Sequence, residues 1–197
     1  PDLLAEGIPL RRLGYQLNPF PLIQLPYHRL VNPWTLGAIL HEVSHNLQND
    51  LGLARALPRA IAHRILQAGH PPRVAAAWTR WNRETFADLC ALQLGGPAVV
   101  GSLMDVVGRG PATVLGYSPR GPHPTPYLRT FISIECLRRM GFTDDAEHYR
   151  RAWARIYPTT EGGTLPPALV QTAGEVIPLV VDTICYQPYP ALGNQSL

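Results

Sequence analysis

Lysine is absent from this sequence, so all 17 of its cationic residues are arginine, set against 14 acidic residues. The net charge is only +3, although the pI is about 9.0. The arginines are dispersed, and the sequence has no basic patch interleaved with aromatic residues of the kind that binds nucleic acid. We therefore expect no nucleic-acid partner, and we interpret the exclusive use of arginine as a coding bias.

Cysteine is also scarce. Cys90, Cys136 and Cys185 lie far apart and lack the CxxC spacing of zinc knuckles and redox motifs. Their odd number argues against a disulfide framework. The sequence predicts three buried free thiols.

Long hydrophobic runs are missing too. The longest apolar stretches, residues 89–104 and 166–185, contain glutamine, glycine, glutamate or proline, so neither supplies the roughly 20 uninterrupted apolar residues of a membrane-spanning helix. The sequence begins Pro1-Asp2, and its first residues do not follow the pattern of a charged segment and an apolar core that is typical of a signal peptide. We expect no membrane span and a soluble protein, either in the bacterial cytoplasm or released from a larger precursor.

One short segment contains the residues most indicative of a function. His41-Glu42-Val43-Ser44-His45 follows the pattern HExxH. At 3.6 residues per helical turn, its two histidines lie on one face, so both imidazoles can bind the same metal ion. The glutamate lies beside them, where it can deprotonate water in an open coordination position. The pattern predicts a catalytic zinc site; the alternative is a polar network of the same side chains inside a helical core.

The flanking residues favour a helix and narrow the class of site. Asn32 suits the N-cap and Pro33 the first helical position, which predicts a helix over residues 33–50. The metzincin extension of HExxH requires glycine and histidine where this chain has Gln48 and Leu51. The metzincin subclass is therefore excluded, and a third ligand must come from elsewhere.

Glu84 and Asp88 are the next acidic candidates. They lie one helical turn apart in residues 72–94, an apolar-periodic segment that can pack antiparallel to the first helix. One carboxylate could bind the metal while the other orients a ligating histidine. Alternatively, the two are an exposed acidic pair that interacts with Arg80 or Arg83.

HExxH followed by this ExxxD pair resembles the gluzincin zinc metallopeptidases. Within that group, residues 83–91 (RETFADLCA) are similar to the corresponding stretch of the CAAX prenyl protease and HtpX-like peptidases. Residues 121–124 (GPHP), followed by Arg129, are similar to their later His-Pro…Arg segment. The resemblance is limited to these short motifs. The membrane members of the group have transmembrane helices, and we expect none in this sequence.

The resemblance implies a role for each matching residue. It implies zinc ligands at His41, His45 and Glu84. It also implies that Glu42 is the general base acting on a zinc-bound water, and that Asp88 accepts a hydrogen bond from a ligating histidine, His41 being the candidate. His123 and Arg129 are the implied catalytic donors to the oxyanion. Equally, the proline-rich loop around His123 could be a surface turn, and Tyr117 or Tyr127 could supply the donor instead.

The composition, 46% hydrophobic and 16% charged, predicts one compact domain over residues 1–197. We expect a mainly α fold. Its β component would be a minor, short-stranded sheet in residues 1–31, with candidate strands at residues 15–17 and 22–25. A zincin-like catalytic helix pair would be followed by additional C-terminal helices and a loose tail, residues 187–197.

The expected function is a zinc-dependent metalloendopeptidase acting on a peptide or protein substrate. One alternative is a non-catalytic helical binding or assembly module with a structural or vestigial zinc site. A hydrolase of non-peptide amides would use the same residues.

Overall fold

The computed structural model describes residues 12, 13, 16, 17, 23, 27 and 31–197. Across them the chain is mainly helical, as predicted. A 3₁₀ turn, Pro33–Thr35, precedes the helices α1 Gly37–Asp50, α2 Leu53–Gln67, α3 Pro72–Arg80, α4 Asn82–Gly95, α5 Pro97–Val107, α6 Pro111–Val114, α7 Pro126–Arg139, α8 Thr143–Ile156 and α9 Pro167–Val181. Five of these helices begin at proline, which fits a first turn because the missing N–H has no helical partner there.

The predicted minor N-terminal sheet is not supported. Among the described residues, strand pairing consists of a two-residue antiparallel ladder between β1 Arg12–Leu13 and β2 Gln16–Leu17, together with an isolated bridge near the C-terminus. Strands in globular proteins usually have 3–10 residues. Of the strand predicted at residues 22–25, Ile23 alone is described and it is not in a strand. Proline is frequent in residues 19–26, and it disfavours sheet formation because it cannot donate to a ladder.

The long apolar segment predicted over residues 72–94 forms two helices rather than one. The break falls at Trp81, whose buried ring packs edge-on against Trp78. The Asn82 side chain donates a 2.7 Å hydrogen bond to the carbonyl of Thr79, which stabilises the turn between α3 and α4. The change of direction allows α4 to lie along α1 while α3 packs against α2.

Helix α4 is the centre of the molecule. Nine consecutive residues, 84–92, are buried, so the helix is enclosed on all sides by its neighbours, α1, α5 and α7. The cysteine prediction is confirmed, since Cys90 on this helix and the other two cysteines are buried and free. A carboxylate on such a helix must find charged or hydrogen-bonding partners, because an unpaired buried charge is unstable.

Helices α7, α8 and α9 complete the helical fold. Helix α9 runs into a π-helix, Asp182–Tyr186, and the combined stretch Pro167–Tyr186 is, by length and composition, long and apolar enough to cross a membrane. In this fold Val176, Val180 and Ile184 pack into the hydrophobic core. A core helix satisfies the same criteria of length and composition.

The C-terminal residues differ from the loose tail predicted over residues 187–197. Tyr189 is 3% exposed, and its hydroxyl donates a hydrogen bond to the carbonyl of Thr183. Its backbone pairs with Gln195 across a 3₁₀ turn, Pro190–Leu192. One aromatic anchor therefore attaches the tail to the core.

Candidate metal centre

The site lies where α1 crosses the face of α4. Gln48 hydrogen-bonds to Asn82 at one end of the contact, and His41 reaches Asp88 further along. Because residue numbers rise along one helix as they fall along the other, the two helices run antiparallel. Each helix presents side chains one turn apart, so the contact brings two pairs of polar groups together inside a mostly apolar interface.

The candidate ligands His41, His45 and Glu84 converge on a small volume. His41 Nε2 is 3.4 Å from Glu84 Oε2, and His45 Nε2 is 3.4 Å from Glu84 Oε1. One ligand atom from each of the three residues can be chosen so that all lie within 4.8 Å of one another. Zinc bonds of about 2.0–2.2 Å place tetrahedral ligands roughly 3.3–3.5 Å apart, so the spacing suits zinc.

The two imidazoles differ in what their second nitrogen contacts. His41 Nδ1–H donates a 2.8 Å hydrogen bond to Asp88 Oδ1, which leaves Nε2 turned toward Glu84. In zinc proteins this kind of contact selects the tautomer and increases the basicity of the ligand. His45 Nδ1 is buried without a hydrogen-bond partner among the described residues. His45 is therefore held mainly by packing, and its Nε2 faces Glu84.

Arg129, on α7, binds the far side of Asp88. Its Nη2 donates a 2.8 Å hydrogen bond to Asp88 Oδ1, and its Nε donates a second to Oδ2, which makes a bidentate ion pair. Arg129 Nη2 is 3.9 Å from Glu84 Oε2, and the side chain is only 12% exposed. The guanidinium of Arg129, which the resemblance implies is a donor to the oxyanion, is thus directed mainly at Asp88. The sequence motif did not reveal this contact.

Burial and charge together set the pKa values of the two histidines apart. Burial alone would lower the pKa of His41, but the charge and hydrogen bond of Asp88, with help from Glu84, raise this pKa to about 9. The pKa of His45 is lowered to about 4, first by burial and then by the positive charge of His41. At neutral pH the metal-free site therefore holds one imidazolium and one neutral imidazole.

Both carboxyl groups remain ionised in spite of their burial. Burial would raise the pKa of Glu84, but hydrogen bonds from His123 and His41 lower it well below its usual range. Burial likewise opposes ionisation of Asp88, but the charges of Arg129 and His41 lower this pKa to about 2. Glu84 and Asp88 are 6% and 5% exposed, so they are not the exposed acidic pair of the alternative interpretation.

The site opens into a cavity of about 170 Å³, which Glu42 and His123 also line. His123 Nε2 lies 3.2 Å from Glu84 Oε2, and its side chain is 47% exposed. The loop therefore carries His123 to the edge of the site. The two tyrosines considered as donors face other partners: Tyr117 accepts a hydrogen bond from Arg80, and Tyr127 packs against Phe131.

Arg80 anchors the loop that carries His123. Its Nε donates to the carbonyl of Gly121 at 3.2 Å, and its Nη2 donates to the hydroxyl of Tyr117 at 3.1 Å. A further bond, from the backbone N–H of Tyr117 to Thr164 Oγ1, fixes the start of the loop. The sequence suggests Arg80 only as one possible partner of the acidic pair Glu84 and Asp88, and no local pattern indicates its contact with the loop.

Two imidazole nitrogens and one carboxylate form a ligand set found in catalytic zinc sites, and the spacing of these donors fits that ion. No protein-family model, curated protein or solved structure matches this chain.

Proposed function

We propose that this protein is a zinc-dependent peptidase of gluzincin type, in which His41, His45 and Glu84 hold the metal. The convergence of these three ligand groups within 4.8 Å at the edge of a cavity carries the proposal. A structural zinc site usually has four protein ligands and is closed, whereas a catalytic site keeps a position open for water or substrate. Three ligands next to a cavity fit the catalytic arrangement.

Bound zinc would polarise the substrate carbonyl and lower the pKa of water at the site. Glu42, adjacent in sequence to the first ligand, lines the same cavity. Its carboxylate accepts a proton from the attacking water and delivers that proton to the leaving nitrogen, so that the C–N bond breaks as the amine departs.

His123 and Arg129 have different parts in this proposal, although both are expected donors to the oxyanion. His123 is half exposed and 3.2 Å from Glu84, so its Nε2–H can also reach a substrate oxygen at the cavity edge. Arg129 is committed to Asp88 by two hydrogen bonds. Its part is to hold Asp88, which in turn holds the ring of His41.

The test combines metal content with hydrolysis. The whole chain, reconstituted with zinc, is expected to hold one zinc per molecule by elemental analysis and to cleave members of a mixed peptide library detected by mass spectrometry. Glu42→Gln keeps the shape of the side chain but removes the base, so we expect zinc to be retained and turnover to fall by about 10²–10⁴-fold. The matched control is Glu161→Gln, at an exposed glutamate outside the cavity lining.

Other outcomes would overturn the proposal in distinguishable ways. Stoichiometric zinc without hydrolysis of any peptide would favour the non-catalytic binding or assembly module. Hydrolysis of simple amides but not of peptides would favour the non-peptide amidase. Peptide hydrolysis that survives Glu42→Gln would show that a different group activates the water.

A further inference from the structure

One wall of the cavity is apolar and comes from a single helix face. Val99, Leu103 and Val106 of α5 all line the cavity and are half-buried, and their spacing of four and three residues places them on one side of the helix. All the charged or titratable side chains that line the cavity belong to the site already described or to its edge at His123 and Arg129. We call the part of the cavity at the candidate metal ligands its polar end and the part bounded by these three α5 side chains its apolar end; the uncharged residues Ser102 and Ser133 also line the cavity.

Close backbone packing fixes this wall in place. A Cβ atom at Gly37, at the start of α1, would lie 2.8 Å from the Cβ of Ser102 on α5. A Cβ at Gly95, at the end of α4, would lie 2.5 Å from Leu40 and 2.6 Å from Val99. Helix α5 therefore approaches α1 and α4 more closely than larger residues would permit. The apolar face belongs to the same packed unit as the ligands, so the pocket is already formed without a substrate.

The size and lining of the cavity limit what it can accept. An apolar cavity of about 150 Å³ holds one benzene molecule, and this cavity measures about 170 Å³ with the polar end included. A charged side chain in the apolar end would lose its hydration without gaining a partner. A glycine residue, or the methyl group of alanine, would leave much of the apolar surface uncovered.

We propose that the apolar end is the side-chain recognition pocket of the enzyme. It selects peptides that carry, next to the scissile bond, one uncharged apolar side chain that is larger than alanine and no larger than phenylalanine. This inference rests on the proposed peptidase function, and it adds the class of substrate. Leu103 lies between Val99 and Val106 on this wall, so a larger side chain at position 103 is expected to reduce the volume of the pocket.

The first measurement does not depend on catalysis. Methyl resonances of the zinc-reconstituted whole chain are recorded by NMR during titration with N-acetyl-leucine amide, N-acetyl-phenylalanine amide or N-acetyl-aspartate amide. We expect the first two compounds to shift the methyl signals of Val99, Leu103 and Val106, and the aspartate compound to leave them unchanged. Equal shifts with all three compounds, or none with any, would overturn the pocket assignment.

The second measurement uses matched peptides that differ only in the residue on each side of one bond. We expect kcat/KM to be at least about 10-fold higher for leucine or phenylalanine than for alanine or aspartate, since each methylene in an apolar pocket changes discrimination by about 10–200-fold. Leu103→Phe fills the pocket and should move the preference toward alanine without loss of zinc. The control is Leu94→Phe, at a leucine that is 58% exposed and outside the cavity lining.

The two proposals fail in different ways. Zinc-dependent cleavage without an apolar preference, or a preference that Leu103→Phe leaves unchanged, would overturn the pocket and leave the peptidase function standing. Selective methyl shifts without cleavage of any peptide would support an apolar binding pocket and overturn the peptidase function.

Discussion

The candidate site has two parts that are held in opposite ways. The helix-borne cluster, defined as His41, His45, Glu84, Asp88 and Arg129, lies on three packed helices, and its side chains are at most 14% exposed. The remaining part is His123, 47% exposed on the histidine loop, residues 116–125. A metal needs ligands at fixed distances, whereas a substrate must enter and leave. The difference supports the proposal made above, in which the cluster would bind the metal and the loop would contact the substrate.

The largest expected effect comes from removing the charge of the carboxylate that joins the two helices. Glu84→Gln preserves the size of the side chain but not its anionic charge, which is shared by Oε2, 3.4 Å from His41 Nε2, and Oε1, 3.4 Å from His45 Nε2. We expect zinc affinity to fall by more than the 10–100-fold typical of residues that only support a ligand, and hydrolysis to be lost. Competition with a chelator of known affinity measures the change.

A matched exposed variant, Glu161→Gln, should keep the parental zinc affinity. If Glu84→Gln bound zinc as tightly as the parent, the carboxylate would not be a ligand, and the difference assigned to the two parts of the site would be lost.

The loop-borne part is tested by His123→Ala. Removal of an oxyanion donor typically lowers kcat by about 10²–10³-fold. We expect the lower end of this range, because His123 is partly solvated, with zinc affinity close to that of the parent. Steady-state kinetics on a cleaved peptide and zinc titration make the two measurements, with His63→Ala, at an exposed histidine of α2, as the control. A large loss of zinc would instead assign His123 to the metal-binding part.

Asp88→Asn changes the residue that orients the proposed ligand His41 and leaves the three proposed ligands in place. The amide can still accept a hydrogen bond from His41, but it cannot balance the buried charge of Arg129. We expect a 10–100-fold loss of zinc affinity and a loss of about 3–5 kcal/mol in the free energy of unfolding, since one partner of a buried pair is removed.

The control for Asp88→Asn is Asp182→Asn, which breaks the more exposed ion pair with Arg139. Its cost should stay below about 1 kcal/mol. Replacing both Asp88 and Arg129 by Leu and Met should recover stability, because no buried charge is left unpaired, but not zinc affinity. If the double variant regained full affinity, Asp88 would have no part in orienting His41.

Zinc binding by the helix-borne cluster should depend on pH. In the metal-free protein the pKa of His41 is about 9 and that of His45 about 4, so at pH 7 zinc must displace about one proton, from His41. Zinc affinity should therefore rise about tenfold per pH unit from pH 7 toward 9 and level off above. Calorimetry in buffers of different ionisation enthalpy counts the protons released.

The stability of the metal-free protein should change in the opposite sense over the same range. His41 has its pKa raised from 6.5, so its stabilisation is fully present below pH 6.5 and is lost as the pH rises through about 9. Denaturant titration of the chelator-treated protein measures this slope. An affinity that is flat from pH 7 to 9 would mean that His41 is already neutral in the metal-free site.

The sequence indicates groups that share one helical turn, but not which faces of the helices meet. His41 and His45, or Glu84 and Asp88, are recognised because a spacing of four residues places them on one helix face. The contacts of Arg129 with Asp88 and of Arg80 with Gly121 join residues about forty positions apart, and no periodicity encodes them. The mainly helical fold followed from periodicity and from prolines at helix starts.

Two features of the fold depend on tertiary packing that a local pattern does not contain. The turn at Trp81 interrupts a segment whose apolar periodicity runs on, because the buried indole and the bond from Asn82 to Thr79 favour a change of direction there. The C-terminal tail is polar in composition, but Tyr189 attaches it to the core. In both places one buried aromatic side chain determines the local structure, although the pattern of the neighbouring residues predicts a different one.

The smallest expected effect tests how the histidine loop is held. Arg80→Gln removes two hydrogen bonds to the loop, but the bond between Tyr117 and Thr164 remains. We therefore expect kcat to fall by less than about 10-fold, with zinc affinity unchanged. Arg73→Gln, at an exposed arginine on the same helix, is the control. Since the hydrogen bonds of Arg80 go to the loop that carries His123, we expect Arg80→Gln to have no further effect in the His123→Ala background. Additive losses in the double variant would mean that Arg80 affects the site by another route.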